Sequence, residues 1–166
     1  FHLAPLVDDE RVKATARYEI RLGLSLGADR IAAAVATEGR IRSDWDRFFV
    51  EGQFDAFLSP TTQVSPFPVG MEWVDEIDGV SLDHYTHWMR SCSRITVTGA
   101  PSASLPVGFT DGGLPVGLQF AGRRHGDADL VALRAAAEEV FGTAPAPDIG
   151  ALATLDPTTL PPGPLD

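Results

Sequence analysis

Val12, Ala16, Ile20 and Leu24 recur every fourth residue, the spacing that lays an apolar stripe along one helix face. Asp8 and Asp9 precede this run, where the outward-pointing N–H groups of a first turn favour negative charge, and Gly27 is its stop signal. Asp29 opens a second helical run with Ile31, Ala34 and Val35 as its stripe. A third is expected from Ser43, which with Asp46 three residues on forms an approximate capping box. Trp45, Phe48 and Phe49 then share a face, and Gly52 closes the helix.

Beyond residue 52 the pattern shortens. DAFLS, Asp55–Ser59, is a short apolar run ended by Pro60 and predicts a buried strand. Residues 60–80 hold Pro60, Pro66, Pro68, Gly70 and Gly79 without a sustained period. This predicts a long loop, of the kind that often covers or lines sites. Ser81 is the expected cap of a helix carrying Leu82, Tyr85, Met89 and Cys92 on one side. Ala103–Phe109 and Pro115–Ala121 then predict two extended segments joined by Thr-Asp-Gly-Gly-Leu as a hairpin, with Val116, Leu118 and Phe120 alternating along the second. Prolines at 101, 106 and 115 predict irregular or edge positions in these strands. The clearest helix begins at Asp127, with Leu130, Leu133, Ala137 and Phe141 as its stripe and Gly142 as its stop. From Thr143 the chain turns to Pro, Ala and Thr, which predicts an extended tail over 143–166. Helices, a strand, a hairpin and a covering helix make a mixed α/β arrangement, whose two or three short strands are a poor sheet alone.

Composition narrows the function classes. The 44% hydrophobic content of these 166 residues requires a folded core. With 23 acidic against 13 basic side chains, the net charge of −10 argues against a phosphate backbone and against anionic membrane as partners. Cys92 is the single cysteine, so no internal disulfide forms, and it reads as a buried inert thiol. No apolar run reaches the roughly 18–20 residues that span a bilayer. The start FHLAPLVDDER has neither a basic n-region nor an apolar h-region, and lacks an initiator methionine, which suits a fragment or processed piece. A cytoplasmic setting is the default expectation.

Three motifs in order carry a family resemblance. Phe54–Thr61 reads FDAFLSPT; Thr98-Gly99-x-Pro101-x-x-Ser104-x-Pro106-x-Gly108 follows; then comes Gly113-Leu114-Pro115-Val116-Gly117-Leu118-Gln119. Together with the helix from Asp127, they resemble the C-terminal portion of amidase-signature hydrolases over roughly Val12–Gly142. The resemblance departs at Thr96, where many members have Asn, and at Ser102, where many have Ala. It implies an α/β fold in which strands of a mixed β-sheet are covered by α-helices, with residues 1–142 forming part of such a domain. It also implies acyl-enzyme chemistry by a serine whose proton passes through a second serine to a lysine, with backbone amides holding the oxyanion. Those groups lie in a glycine- and serine-rich segment that these residues do not contain. Lys13, the single lysine, sits beside Arg11 and Arg17 and reads as a solvated charge; Gly112-Gly113 is followed by Leu-Pro. The motif glycines and prolines read as architecture, and no catalytic residue is assigned.

Other chemistry is weaker. Ser102 and Ser104 lack a strand–elbow–helix setting. His84 and His87, three apart, have no evident third metal ligand, and Glu72, Asp75, Glu76 and Asp78 lack the spacing of a calcium loop. His125, beside Arg123 and Arg124, reads as part of a strand exit. No cofactor signature occurs, and serine–lysine chemistry requires none. In family relatives that take glutamine, the helix before Thr-Gly-x-Pro presents an acid to the substrate amine; here His84–Thr98 has neither Asp nor Glu. The resemblance then implies an apolar or aryl amide, with Trp88, Met89 and Cys92 as candidate pocket walls set against their reading as ordinary core. The partner implied is the N-terminal, nucleophile-bearing portion of the same enzyme, with a small amide as substrate; a homo-oligomer is left open. Two competing readings are a binding or assembly module derived from this fold without its chemistry, and an unrelated α/β domain that shares the Pro/Gly spacing by chance.

Overall fold

The computed structural model describes residues 3–142 together with Gly150 and Asp156. The tail expected over 143–166 otherwise lies outside the described residues. After a 3₁₀ turn at Ala4–Leu6, the chain forms α1 (Ala14–Leu24), α2 (Ala28–Gly52) and β1 (Phe57–Pro60). A small hairpin of β2 (Glu76–Ile77) and β3 (Val80–Ser81) leads to α3 (Tyr85–Trp88) and α4 (Arg90–Thr96). Two longer strands, β4 (Ser102–Phe109) and β5 (Pro115–Ala121), precede α5 (Asp127–Phe141).

The helices differ from expectation in two places. The runs expected separately from Asp29 and from Ser43 are one 25-residue helix, α2, about 37 Å long. Gly39 costs helix propensity but does not terminate it, and Arg42–Glu38 and Arg47–Asp44 ion pairs form along the helix. Ser43 therefore has helical neighbours on both sides and no N–H groups to cap. Gly27 is the N-cap, and the helix ends through Gln53 in the left-handed conformation (φ 51°).

The second difference concerns Ser81, which is not a cap because it pairs with Glu76 in the small hairpin. That hairpin turns through Asp78 (φ 52°) and Gly79 (φ 74°), the Asp-Gly pair that a two-residue turn of this hand favours. The loop expected over 60–80 thus contains a pair of strands. The following helix starts at Tyr85 and breaks at Met89, whose ψ of 12° leaves the helical range. At that break the Gln63 side-chain amide donates to the carbonyls of His87 (3.2 Å) and Trp88.

The main sheet has the order β1-β5-β4, antiparallel throughout. Pro115 opens the central strand, Pro60 and Pro106 lie on the two outer ones, and the β4–β5 register shifts between Pro106 and Gly108. This is where prolines are tolerated, since they remove ladder donors only at starts, edges and bulges. One sheet face is apolar: Leu105 and Phe120 pack under Leu130 of α5, with Leu118, Leu133 and Ala137 around them. On α2, Phe49 is also buried, at 1% exposed. Its edge-to-face contacts with Trp45 and Phe48 extend the aromatic packing to Phe57 of β1.

Candidate functional site

The first two motifs become a turn and a sheet. Thr98 is buried, and its hydroxyl donates to the Ile95 carbonyl (2.7 Å) while accepting from the Ala100 N–H (3.1 Å). This closes the end of α4 onto a turn in which Gly99 takes φ 69°, a conformation that side-chain-bearing residues rarely adopt. Pro101 then feeds β4, its carbonyl accepting from the Gly122 N–H at 3.0 Å.

In the third motif, Gln119 is 8% exposed at the middle of the central strand. Its Nε2 donates to Ser102 Oγ (2.9 Å) and its Oε1 accepts from Ser59 Oγ (3.3 Å), so one amide ties β5 to both neighbours. Two residues along, the Thr61 and Ser104 hydroxyls share a hydrogen bond of 2.8 Å directly over Gly117. A Cβ on Gly117 would lie 2.8 Å from Thr61 Oγ1 and 3.0 Å from Ser104 Oγ. Gly117 is therefore a close-approach glycine. Ser102, one of the departures from the resembled pattern, holds the Gln119 amide.

The end of β5 is bound to α2. Trp45 Nε1 donates to the Gly122 carbonyl at 3.0 Å, and Arg124 pairs with both carboxylate oxygens of Asp46. The Arg124 hydrogen bonds hold the Asp46 carboxyl below its ordinary range, with desolvation opposing them. His125 occupies the turn beyond at φ 63°.

Two cavities flank the helices before the Thr-Gly-x-Pro turn. One, of about 640 Å³, lies between the C-terminal half of α2, β1 and α4, with Trp45, Phe48 and Phe57 against Ser59, Ser91 and Arg94. The other, of about 770 Å³, lies between α1 and α3; Ala16, Ile20, Leu24, Ile31 and Met89 give it an apolar wall. Both fall in the volume range of small-molecule sites. α1 and α3 are joined by Tyr18 and His84, stacked at 4.5 Å and sharing a 3.0 Å hydrogen bond, and by the Thr86 hydroxyl donating to Glu19 at 3.3 Å.

The three candidate wall residues are not brought onto one surface. Met89 lines the α1–α3 cavity. Trp88 packs edge-on against Phe67 and Tyr85, and its shielded indole N–H has no hydrogen-bond partner among the described residues. Cys92 Sγ faces the Thr61 carbonyl at 3.7 Å. The break at Met89 explains the separation, because residues 88 and 92 no longer continue the stripe that carries 89. His84 and His87 lie 4.6 Å apart ring to ring. Among the described residues no group of three or more His, Cys, Asp or Glu side chains is placed to hold a metal ion. Lys13 is exposed at the N-cap of α1.

Sequence reasoning missed Glu19, a wall residue of the same cavity as Met89. A signal was present: Glu19 lies between Ala16, Ile20 and Gly23 on the helix face that turns inward.

The comparisons with known proteins agree with this architecture. The family described as Amidase matches residues 7–131. The chain belongs to the amidase-signature family. It is 41% identical over 98 residues to the A subunit of the glutamyl-tRNA(Gln) amidotransferase of Myxococcus xanthus (strain DK1622), covering 59% of this chain and 18% of that protein. It is 30% identical over 103 residues to the indoleacetamide hydrolase of Rhizobium radiobacter, covering 62% of this chain and 22% of that protein. Among solved structures, a crystal structure of an amidase superposes with a TM-score of 0.68 at 26% identity, covering 81% of this chain and 30% of the other. A bacterial aryl acylamidase of the amidase-signature family gives 0.67 at 26%, covering 80% and 27%. The chain thus spans about a fifth of the curated relatives it matches. Among the described residues no helix is long and apolar enough to cross a membrane.

Proposed function

We propose that this chain is the C-terminal portion of an amidase that hydrolyses a small carboxamide with an apolar, aliphatic or aryl, body. The reactive groups are placed in a companion N-terminal portion: a serine attacks the amide carbonyl, its proton passes through a second serine to a lysine, and backbone N–H groups hold the oxyanion. Collapse of the tetrahedral intermediate breaks the C–N bond and releases the amine as it takes a proton. Water then hydrolyses the acyl-serine ester. This chain contributes sheet strands, the α5 cover and walls of the substrate chamber, in a cytoplasmic setting.

The observation that carries the reading is the apolar cavity between α1 and α3, with Met89 on its wall. It lies beside the helix segment that leads into the family's Thr-Gly-x-Pro turn, at Thr98–Pro101. Trp88 and Cys92 support the chamber from the side of the loop rather than lining it. The test compares hydrolysis of an aryl amide and of glutamine by the complete enzyme. Preference for the aryl amide is expected, and preference for glutamine overturns the substrate class. A folded complex of both portions that hydrolyses no amide favours a binding or assembly module instead.

A further inference from the structure

The cavity between α2, β1 and α4 lies beside a free strand edge. Trp45 and Phe48 of α2, Phe57 of β1 and Ile95 of α4 give its space of about 640 Å³ an apolar wall. Phe48 and Phe57 are each 37% exposed, although Phe48 is in edge contact with the buried Phe49. Among the described residues β1 pairs with β5 alone. The Thr61 N–H donates to the Gly117 carbonyl at 3.1 Å, and peptide groups alternate in direction along an antiparallel strand. Phe57 and Ser59 therefore turn theirs to β5, and the N–H and C=O of Leu58 face the open side. The side chains alternate too. Phe57 and Ser59 line the cavity, while Leu58, 52% exposed, lies on the opposite face of the sheet.

An occupant of this region has to fill an apolar cavity, pair a peptide group and cover Leu58. A small amide fills the cavity and leaves the edge bare. A helix laid over the edge buries the Leu58 N–H and C=O without partners, which is costly. An added strand meets all three needs, because its own residues alternate between the two faces. We propose that the open edge of β1 receives a strand of the companion N-terminal portion, and that one apolar side chain of that strand fills the α2–β1–α4 cavity. This rests on the amidase reading above and names where its two portions join. In the two solved amidase structures the matched part covers 81% and 80% of this chain but 30% and 27% of theirs. More than two thirds of such a chain thus packs outside these residues, beside a three-stranded sheet that is small to stand alone. The cavity is a seat for assembly and not a second substrate chamber.

The first test is amide hydrogen exchange in the complete enzyme. The Leu58 N–H should exchange about a hundredfold or more slowly than in an unstructured peptide; exchange as fast as in an open loop overturns the proposal while the amidase reading stands. Protection that vanishes when a dimer is diluted to monomer assigns the edge to a second copy and also overturns it. Leu58→Pro removes the outward N–H at an edge position where proline is tolerated, and Leu58→Ala removes the same side chain but keeps that N–H. In urea unfolding of the complete enzyme the proline variant should show a folded-to-unfolded ratio about tenfold or more below that of the alanine variant, and equal ratios count against the added strand. Should the proline variant not fold, exchange in the wild type decides. Phe48→Ala should lower stability and leave KM for a small amide within about twofold. A several-fold rise in KM at unchanged stability makes the cavity a ligand site and overturns its role as a seat. A protected Leu58 N–H in an enzyme that hydrolyses no amide keeps the interface and removes the amidase reading.

Discussion

At Gly117 a single missing methyl group permits the Thr61–Ser104 hydrogen bond to cross the central strand. Gly117→Ala should destabilise the chain by about 1–3 kcal/mol through overpacking. Adding Ser104→Ala, which removes one of the two crowding oxygens, should recover part of that loss in urea unfolding. Equal stability of Gly117→Ala and wild type would refute the close-approach account. Thr98→Val is nearly isosteric but loses both side-chain bonds of a buried turn. A loss of about 1–3 kcal/mol is expected, measured the same way. The motif glycines and prolines were legible as architecture from sequence because their backbone limits are intrinsic. The Gln119 clamp was not, since it depends on Ser59 and Ser102 arriving from strands far apart in the chain.

Among the elements, α2 offers the cleanest test. Gly39 lies in the helix interior, and a Cβ there would meet nothing within 4 Å. Gly39→Ala should therefore stabilise by about 0.5–1 kcal/mol; a destabilising result would show that the helix is interrupted there. The attachment of α2 to the end of β5 depends on pH in a defined direction. Because Arg124 holds the Asp46 carboxyl below its ordinary range, the folded state binds this proton less readily than the unfolded chain. The ion pair's contribution is complete above the ordinary carboxylate range, near pH 4, and is lost as pH falls through the lowered folded value. The stability difference between wild type and Asp46→Asn should be present at pH 7 and shrink below about pH 4. Partial exposure of both side chains keeps that difference small. The element types were largely readable, since α1, β1, the β4–β5 hairpin and α5 occur where the periodicities place them. The joins were not: a lone glycine did not stop α2, and the helix after Tyr85 breaks at Met89, where the Gln63 amide takes up the His87 and Trp88 carbonyls.

For the whole molecule, the main consequence is exposed apolar surface. Among the described residues only Phe49, Ile95, Leu105, Phe120, Ala121 and Leu130 form the buried apolar core, while Val35 is 63%, Leu58 52% and Val50 72% exposed. Among the described residues β1 has a neighbour strand on one side only. Surface of this extent marks an interaction face. Expressed by itself, the chain should self-associate and bind an apolar dye; co-expression with an N-terminal, nucleophile-bearing portion should suppress both and restore amide hydrolysis. Light scattering showing a monodisperse monomer without dye binding would contradict this. The sequence alone determined the α/β class and the architectural part played by the Pro/Gly motifs, because backbone restrictions and apolar periods act over a few residues, and the family was legible through the resemblance of its three motifs. Only the tertiary structure decided that Met89 lines the cavity while Trp88 and Cys92 face the loop, and that Glu19 comes to the same wall. Those facts depend on how α1, the 60–80 loop and α3 pack, and helices distant in sequence meet only through the fold.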